Sequence, residues 1–382
     1  MHSVTILKSR LNQIGGLEKY TWEIVKGFCQ AKCAVTLLTT QKVNPPFSSP
    51  SLRIVSFPID YRLSYLNVLQ FDLACQRFIE KNPTDIVFSL DRNSFQTHMR
   101  AGNGSHAAYL KDRSQAEGFF KELSFRFNPL HRNILRIEKK GFENRALQKL
   151  FTNSHMVKNQ ILDLYEIDPK KIEVVHNGVE WSQMQTDFNE WEEKREQLLA
   201  KHDLDPQKYQ LLFVGNNYRR KGLKNVLKAL PLLPKGEVQL LVIGKDKNAK
   251  YFKEMAGSLH LNTSVRFLGK HDGIREFYQM ADALIIPSSY DPFANVTVEA
   301  LAMGLYVISS KNNGGHEVLT PHSGHVIEPC TDPQNIALSI KKALSYRKTP
   351  SSSVQIRDSV AHLDFSNQIR LIINSTLGYN RA

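Results

Sequence analysis

Short β-rich apolar runs alternate along this chain with longer stretches of helical spacing, and that alternation limits the possible folds more than any other feature. "VTILKS" (4–9) opens as a strand, and "LEKYTWEIVKGFCQ" (17–30) follows with Leu17, Tyr20, Ile24 and Phe28 at helical intervals. Further strand-like runs lie at 34–40, 52–58, 84–90, 149–154 and 172–179, with a long charged helical stretch over about 114–147. A polar segment rich in Glu, Gln and Lys, 180–207, then interrupts the pattern. A second series begins at "YQLLFVGN" (209–216) and continues through strand-like runs at 238–245, 265–270, 283–288, 306–310 and 324–329. Helical stretches at 221–233, 249–260, 272–281, 295–303 and 333–346 separate them. Strands joined through helices pair in parallel, with helices covering both faces of the sheet. The expected fold class is therefore α/β, with two Rossmann-like domains facing each other across a cleft. The expected boundaries are 1–178 for the first domain, 179–207 for a linker region and 208–365 for the second. A terminal segment, 366–382, is expected to pack back on the first domain. A length of 382 residues agrees with two cores, because single cores stop growing near ~250–300 residues.

Composition narrows the class. Hydrophobic residues at 41% and charged residues at 23% are globular values and argue against a disordered chain. No apolar run reaches the ~18–20 residues of a spanning helix. "VTIL" is too short for a secretory signal core, so a cytoplasmic protein is expected. The cysteines Cys29, Cys33, Cys75 and Cys330 lack the second pair or neighbouring histidine of a zinc site and are expected as free thiols. A net charge of +13 implies an anionic partner: nucleic acid, an acidic membrane leaflet or a phosphorylated substrate. The cations gather at 111–113, 131–145, 168–171 and 217–224, where an ordinary solvated helix face accounts for them equally. No aromatic RNA-binding motif, zinc finger or helix-turn-helix pattern accompanies them, which weighs against a nucleic-acid module.

In doubly wound sheets ligands sit at the carboxyl ends of strands, and three stretches there break the pattern. Gly15 and Gly16, after the first strand, let backbone N–H groups approach a phosphate or a sugar, although such a pair also serves as a plain turn. Arg220 and Lys221 in "VGNNYRRKGL" stand at a helix mouth, where two cations and a positive helix end suit a leaving diphosphate; helix capping is the other reading. In "YDPFANVTVEA" (290–300), Asp291 lies in a loop and Glu299 inside the following helix. One carboxylate can take a sugar hydroxyl and the other a diol such as a ribose, with helix-start N–H groups aimed at a diphosphate between them. A loop acid and a surface glutamate are the alternative.

These stretches, taken in order, resemble retaining GT-B glycosyltransferases. "DPFANVTVE" resembles the E-x7-E signature with Asp in the first place, and "GGLEKY", "VHNGV" and "RRKGL" resemble the family's opening, interdomain turn and diphosphate element. "LGKHDGIREFYQMADALIIPS" and "NNGGHEVL" are similar to its later segments, so the likeness runs from about 15 to 330. "SLDRNSFQTHMRAGNGSHAAYL" (89–110) resembles a stretch of lipopolysaccharide core glucosyltransferases, with Asn103 where those usually have Asp. Asp291 in place of Glu reaches about 1.5 Å less, one C–C bond. Asn216 stands where relatives often carry Arg.

The resemblance implies transfer of a hexose, with glucose and a UDP-sugar donor expected, to a lipopolysaccharide core or related glycolipid. Retention of anomeric configuration, no metal and no cofactor are implied with it. His106 is implied near the scissile bond and Asn103 with it in the acceptor region. Asp291, Arg220 and Lys221 complete the implied catalytic group. Glu317 and the backbone of Phe293, Ala294, Asn295 and Val296 are implied to orient the donor, and Glu299 to hold its ribose. Arg126, Arg132, Arg136, Lys139 and Lys140 recur with Phe125, Phe127, Leu130 and Leu135, which suits peripheral docking on an anionic leaflet as well as it suits an interdomain helix. A same-fold transferase for capsule or another glycan, and an inactive nucleotide-binding GT-B protein, are the alternatives.

Overall fold

Two sheets carry the chain, and every strand pairing within them is parallel. The structure, a computed structural model, describes residues 1–11, 16–59 and 64–379. It divides into unit 1, Met1–Val175 with Gln368–Ala382, and unit 2, His176–Asn367.

Unit 1 runs β1 (Ser3–Leu7), α1 (Gly16–Gln30), β2 (Ala34–Thr39), β3 (Leu52–Ser56), α2 (Ser64–Lys81), β4 (Ile86–Ser89) and β5 (His98–Ala101). It continues with α3 (His106–Glu117), α4 (Phe119–Phe127), α5 (Pro129–Phe142), β6 (Lys149–Thr152), α6 (His155–Leu164) and β7 (Ile172–Val174). The strand order is β3-β2-β1-β4-β5-β6-β7. The order turns back at β1, so the loops after β1 and β4 open beside one another, where such sheets bind ligands. Strand β5 does not show in the apolar pattern. Its four residues, "HMRA", include His98 and Arg100, yet all four are buried.

The long helical stretch expected over 114–147 is three helices. Gly118, at φ +86°, ends α3, a conformation that costs glycine little. Asn128 ends α4 and caps α5, its side chain accepting from the Leu130 amide, with Pro129 in the first turn where no N–H is needed. Of the apolar residues expected on a docking face, Phe127 is strongly exposed but Phe125 is buried, packed edge-on against His131. Leu130 and Leu135 are half-buried. Residues from Gln368 belong to unit 1, where the Lys149 ammonium donates to Ser375 Oγ at 2.6 Å.

Unit 2 runs α7 (Gln185–Asn189), α8 (Trp191–Lys201), β8 (Tyr209–Val214), α9 (Leu223–Ala229), β9 (Val238–Ile243), α10 (Ala249–Ser258) and β10 (Val265–Gly269). Then come α11 (Ile274–Met280), β11 (Ala283–Ile286), α12 (Asn295–Ala302), β12 (Tyr306–Ser310), β13 (Gly324–Ile327), α13 (Pro333–Ala343) and α14 (Pro350–Asp358). Helix α15 (Phe365–Leu377) begins here and ends in unit 1. The strand order β10-β9-β8-β11-β12-β13 has its switch point between β8 and β11. Strands β9, β11 and β12 are buried along their full length, as helices on both faces require.

The segment expected as a linker is instead part of this core. Met184, Phe188, Trp191 and Leu199 are buried in it. Their polar neighbours hid them: Arg275 pairs with Glu180 and Asp187 at 2.8 Å, and Arg195 with the buried Asp282 at 2.8 Å. The Lys348 ammonium lies 4.4 Å from the centre of the Trp191 ring. Among the described residues no helix is long and apolar enough to cross a membrane. Trp191→Ala should lower the unfolding free energy in a denaturant titration by ~3–5 kcal/mol, the scale for a core aromatic; a tryptophan in a solvated linker would change it by under ~0.5 kcal/mol.

Candidate functional site

In unit 2 the loops after β8 and β11 are locked together by backbone. Gly222, at φ +87°, lies so close to the β11 end that a Cβ there would sit 2.2 Å from the Pro287 carbonyl oxygen. The Ser289 amide donates to the Arg220 carbonyl at 2.8 Å. This contact sets two cations on one carboxylate: Asp291 Oδ2 accepts from Arg220 Nη1 at 2.9 Å and from Lys221 Nζ at 2.7 Å. Arg220 also donates to the Tyr290 carbonyl at 2.9 Å. Asp291 is buried, while Arg220 keeps about a third of its side chain exposed. The cluster carries one net positive charge, and Arg219 beside it is exposed.

Asp291 thus has one carboxylate oxygen committed to protein cations, and its Oδ1 accepts from the Phe293 amide at 3.2 Å. The Ala294 amide is likewise taken, by Asn313 Oδ1 at 2.9 Å. So of the four backbone positions expected to face a donor, Phe293 and Ala294 are engaged internally. Asn295 and Val296, in the first turn of α12, have amides without a partner among the described residues. Such amides form the positive end of a helix.

Asn313 is the organiser that sequence reasoning missed. It is fully buried, and besides Ala294 its Oδ1 accepts from Gly315, while its Nδ2 donates to Ser309 Oγ at 2.9 Å. Its signal was present as an asparagine just before Gly314 and Gly315, a capping residue for the tight turn Gly314–Val318.

Glu299, on α12, accepts from the Tyr278 hydroxyl at 2.8 Å through Oε2. Burial raises its pKa, against the opposing pull of that hydrogen bond, Arg275 and Lys221. Burial and the nearby carboxylate push the Tyr278 phenol well up, so it stays a donor. Glu299 Oε1 has no partner among the described residues and remains available to a hydroxyl pair. Glu317 Oε2 lies 3.1 Å from His176 Nε2, and Asn295 Oδ1 accepts from Asn177 at 2.7 Å. Unit 2 therefore brings Arg220, Lys221, Asp291 and Glu299 together, with the Lys221 charge opposing part of the rise that burial imposes on the Glu299 pKa.

Unit 1 holds the remaining candidates. Gly15 lies outside the described residues; Gly16 opens α1. His106 is the first residue of α3, and its amide, with that of Ala107, donates to the buried carboxylate of Glu138 on α5. Glu138 also accepts from Arg92 Nε at 2.7 Å, Ser105 Oγ at 3.0 Å and the Tyr165 hydroxyl at 2.5 Å. Burial acts to raise its pKa, but Arg92 and these donors hold it below the ordinary carboxylate value. Neither Glu138 nor Arg92 was predicted, because a glutamate in a Lys-rich helix reads as surface.

The His106 ring is buried, with Nε2 3.0 Å from His131 Nδ1. Burial lowers its pKa to about 4, with Arg92 and His131 adding to the shift, so the imidazole is neutral near pH 7. Asn103, three residues earlier, is exposed in the turn. At the β1 end, Asp91 takes Lys8 Nζ at 2.7 Å and the Ser9 amide at 2.6 Å. Burial opposes its ionisation, but Lys8 and Ser9 keep its pKa below the usual range.

Solved structures share this fold. That of WaaG, a glycosyltransferase involved in lipopolysaccharide biosynthesis, superposes with a TM-score of 0.77 at 19% identity, covering 98% of this chain and all of that one. The Anabaena Alr3699/HepE structure in complex with UDP-glucose matches with a TM-score of 0.67 at 16% identity over the full length of both. The architecture is that of the GT-B glycosyltransferases. The family described as "Glycosyltransferase Family 4" matches residues 14–183, and "Glycosyl transferases group 1" matches 194–356. Together they cover most of the chain, which belongs to the group 1 glycosyltransferases with a family 4 N-terminal half.

Among curated relatives, the lipopolysaccharide glucosyltransferase WaaG of Escherichia coli K12 is 22% identical over 77% of both chains. An uncharacterized glycosyltransferase, MJ1607, of Methanocaldococcus jannaschii is 28% identical over 52% of this chain, and that match spans about half of its own length.

The depressed histidines of unit 1 make its stability depend on pH. His98 and His106 each have a folded pKa of about 4 against an ordinary 6.5, in both cases chiefly through burial. Between these values the unfolded chain binds protons that the folded chain does not, so stability falls as pH drops from about 6.5 to 4. The melting temperature should decrease steadily over that interval, and less steeply in His98→Asn; parallel curves would contradict the assignment.

Proposed function

We propose that this chain is a retaining hexosyltransferase that moves a sugar, with glucose expected, from a UDP-sugar to a lipopolysaccharide core or related glycolipid. One observation carries the reading. Arg220 and Lys221 converge on Asp291 at the switch point of the unit 2 sheet, four residues before α12 begins at Asn295, where the amides of Asn295 and Val296 have no partner among the described residues. Two cations with a helix start form a diphosphate site, and Glu299 Oε1 lies ready for a ribose diol. The HepE structure with UDP-glucose, and the lipopolysaccharide relatives, support the donor and acceptor classes.

In this mechanism the departing UDP phosphate takes up negative charge as the sugar–oxygen bond breaks. Arg220 and Lys221 stabilise that charge, held in position beforehand by Asp291, so no side-chain reorganisation is needed as it develops. Asp291 serves mainly to aim the cations. Glu317 and the first turn of α12 orient the sugar hydroxyls. His106, neutral at pH 7, accepts or donates a hydrogen bond rather than acting as a charge. The cations supply the charge stabilisation that a metal provides in other transferases.

The acceptor reading gives a use to the exposed Arg126, Arg132, Arg136, Lys139 and Lys140 with Phe127 and Leu123, which form a basic and apolar face suited to an anionic leaflet. The reaction would then take place at the cytoplasmic side of the membrane.

UDP release should be followed with UDP-glucose and a truncated lipopolysaccharide acceptor, and the anomeric configuration of the product read by NMR. An α-linked product supports the proposal; a β-linked product from the α-configured donor sinks the retaining mechanism. Lys221→Ala should lower turnover about 100-fold or more, the scale for losing one contact to a developing anion; unchanged kinetics would remove Lys221 from the site. Reversing Arg132, Arg136 and Lys139 to glutamate should weaken sedimentation with anionic vesicles and leave UDP affinity as it was. Loss of both would signal a damaged fold.

A further inference from the structure

Unit 1 contains a cavity of about 340 Å³, within the ~300–1,000 Å³ of ligand pockets, where the loops after β1 and β4 meet α2 and α5. We propose that it holds one pyranose ring of the acceptor glycan and that Asn67 recognises that ring by its hydroxyls. The proposal rests on the transferase reading only for calling the sugar an acceptor; the site itself is argued from its own walls.

Those walls are of two kinds. Val68 and Phe71 of α2 and Leu130 and Ile134 of α5 give an apolar surface. Ser9, Arg10, Thr40, Asp91 and Arg92 give a polar one. The polar groups already have partners. Asp91 is held by Lys8 and Ser9, and Arg92 by Glu138 and the Gly104 carbonyl. Asn67 is the exception. It is 8% exposed, and among the described residues neither its amide nitrogen nor its amide oxygen has a hydrogen-bond partner.

A buried carboxamide with both ends unpartnered is costly and rare in a native fold, and it points to a partner that arrives from outside. The chemistry of that partner follows from what is unsatisfied. One donor group and one acceptor are presented by the same neutral side chain, and neighbouring sugar hydroxyls offer one of each. An acyl chain would leave both amide ends unpartnered. An anion would satisfy the nitrogen and repel the oxygen, and it would meet the Asp91 carboxylate on the same wall as Arg10, while Arg92 is already paired with Glu138. A pyranose answers all of these conditions, since it has hydroxyls at its rim and C–H faces to lie against Phe71 and Ile134.

The test compares wild type with Asn67→Leu, of similar size but without the amide, by saturation-transfer NMR. The probes are methyl pyranosides of gluco, manno, galacto and heptose configuration, with octanoate and UDP as separate arms. At least one pyranoside should receive ring-proton saturation from wild type, weakened about fivefold or more in the variant, the loss expected from one or two neutral hydrogen bonds. UDP signals should be equal in both proteins, and the melting temperature of the variant equal or higher, because an unpartnered buried amide has been removed. Absence of pyranoside binding to wild type overturns the proposal. So do equal signals in the two proteins, binding of octanoate in place of sugar, or a clearly lower melting temperature in the leucine variant. If the leucine variant misfolds, Asn67→Ala carries the same comparison. Loss of UDP signals in wild type, with the Asn67-dependent sugar signals present, sinks the donor reading and supports this one.

Discussion

Parallel strands must have both faces covered, because their side chains are apolar on each side and their connections are helices. That constraint leaves the strand ends as the places where polar chemistry can gather. In unit 2 the ends of β8 and β11 carry the loops of Arg220, Lys221 and Asp291, and in unit 1 the end of β1 carries Lys8 and the end of β4 carries Asp91 and Arg92. Counted within each unit, both sheets run 3-2-1-4-5-6, with a seventh strand at the edge of unit 1, and both place their charged residues at the point where the order turns back.

Each unit also uses one buried polar side chain to shape its loops. Asn313 binds the amides of Ala294 and Gly315 and two hydroxyls, so that the start of α12 and the glycine turn have fixed positions. Glu138 does the corresponding work in unit 1, collecting the first amides of α3, Arg92 and the Tyr165 hydroxyl. A carboxylate at a helix start is favoured by the helix dipole, and with a guanidinium beside it stays ionised although buried. His106 shows the opposite response: burial beside Arg92 keeps its ring neutral. Charge is therefore placed where donors or countercharges can compensate it, and withheld where they cannot.

The legible parts of this protein were those written in local pattern. Strands such as "VQLLVI", apolar but for Gln239, and "ALII" stand out, and their parallel pairing follows from the helices between them. The cations at 220 and 221 and the acids at 291 and 299 were recognisable because they break that pattern at strand ends. Strand β5 was not legible, since His98 and Arg100 hide a buried strand behind polar letters. Helices α7 and α8 were misread for the same reason, their charged residues masking Phe188, Trp191 and Leu199.

The amino-acid sequence by itself determined the α/β class, the two series of strands and the candidate residues, because periodicity and strand-end loops are local properties of the chain. Only the tertiary structure decided which of those residues act on one another. Asp291 accepts both cations because Gly222 brings the 217–222 loop against Pro287, about seventy residues away in sequence. Glu138, Asn313 and Asn67 acquire their significance from burial and from the presence or absence of partners, and neither can be read from a residue's neighbours in the chain.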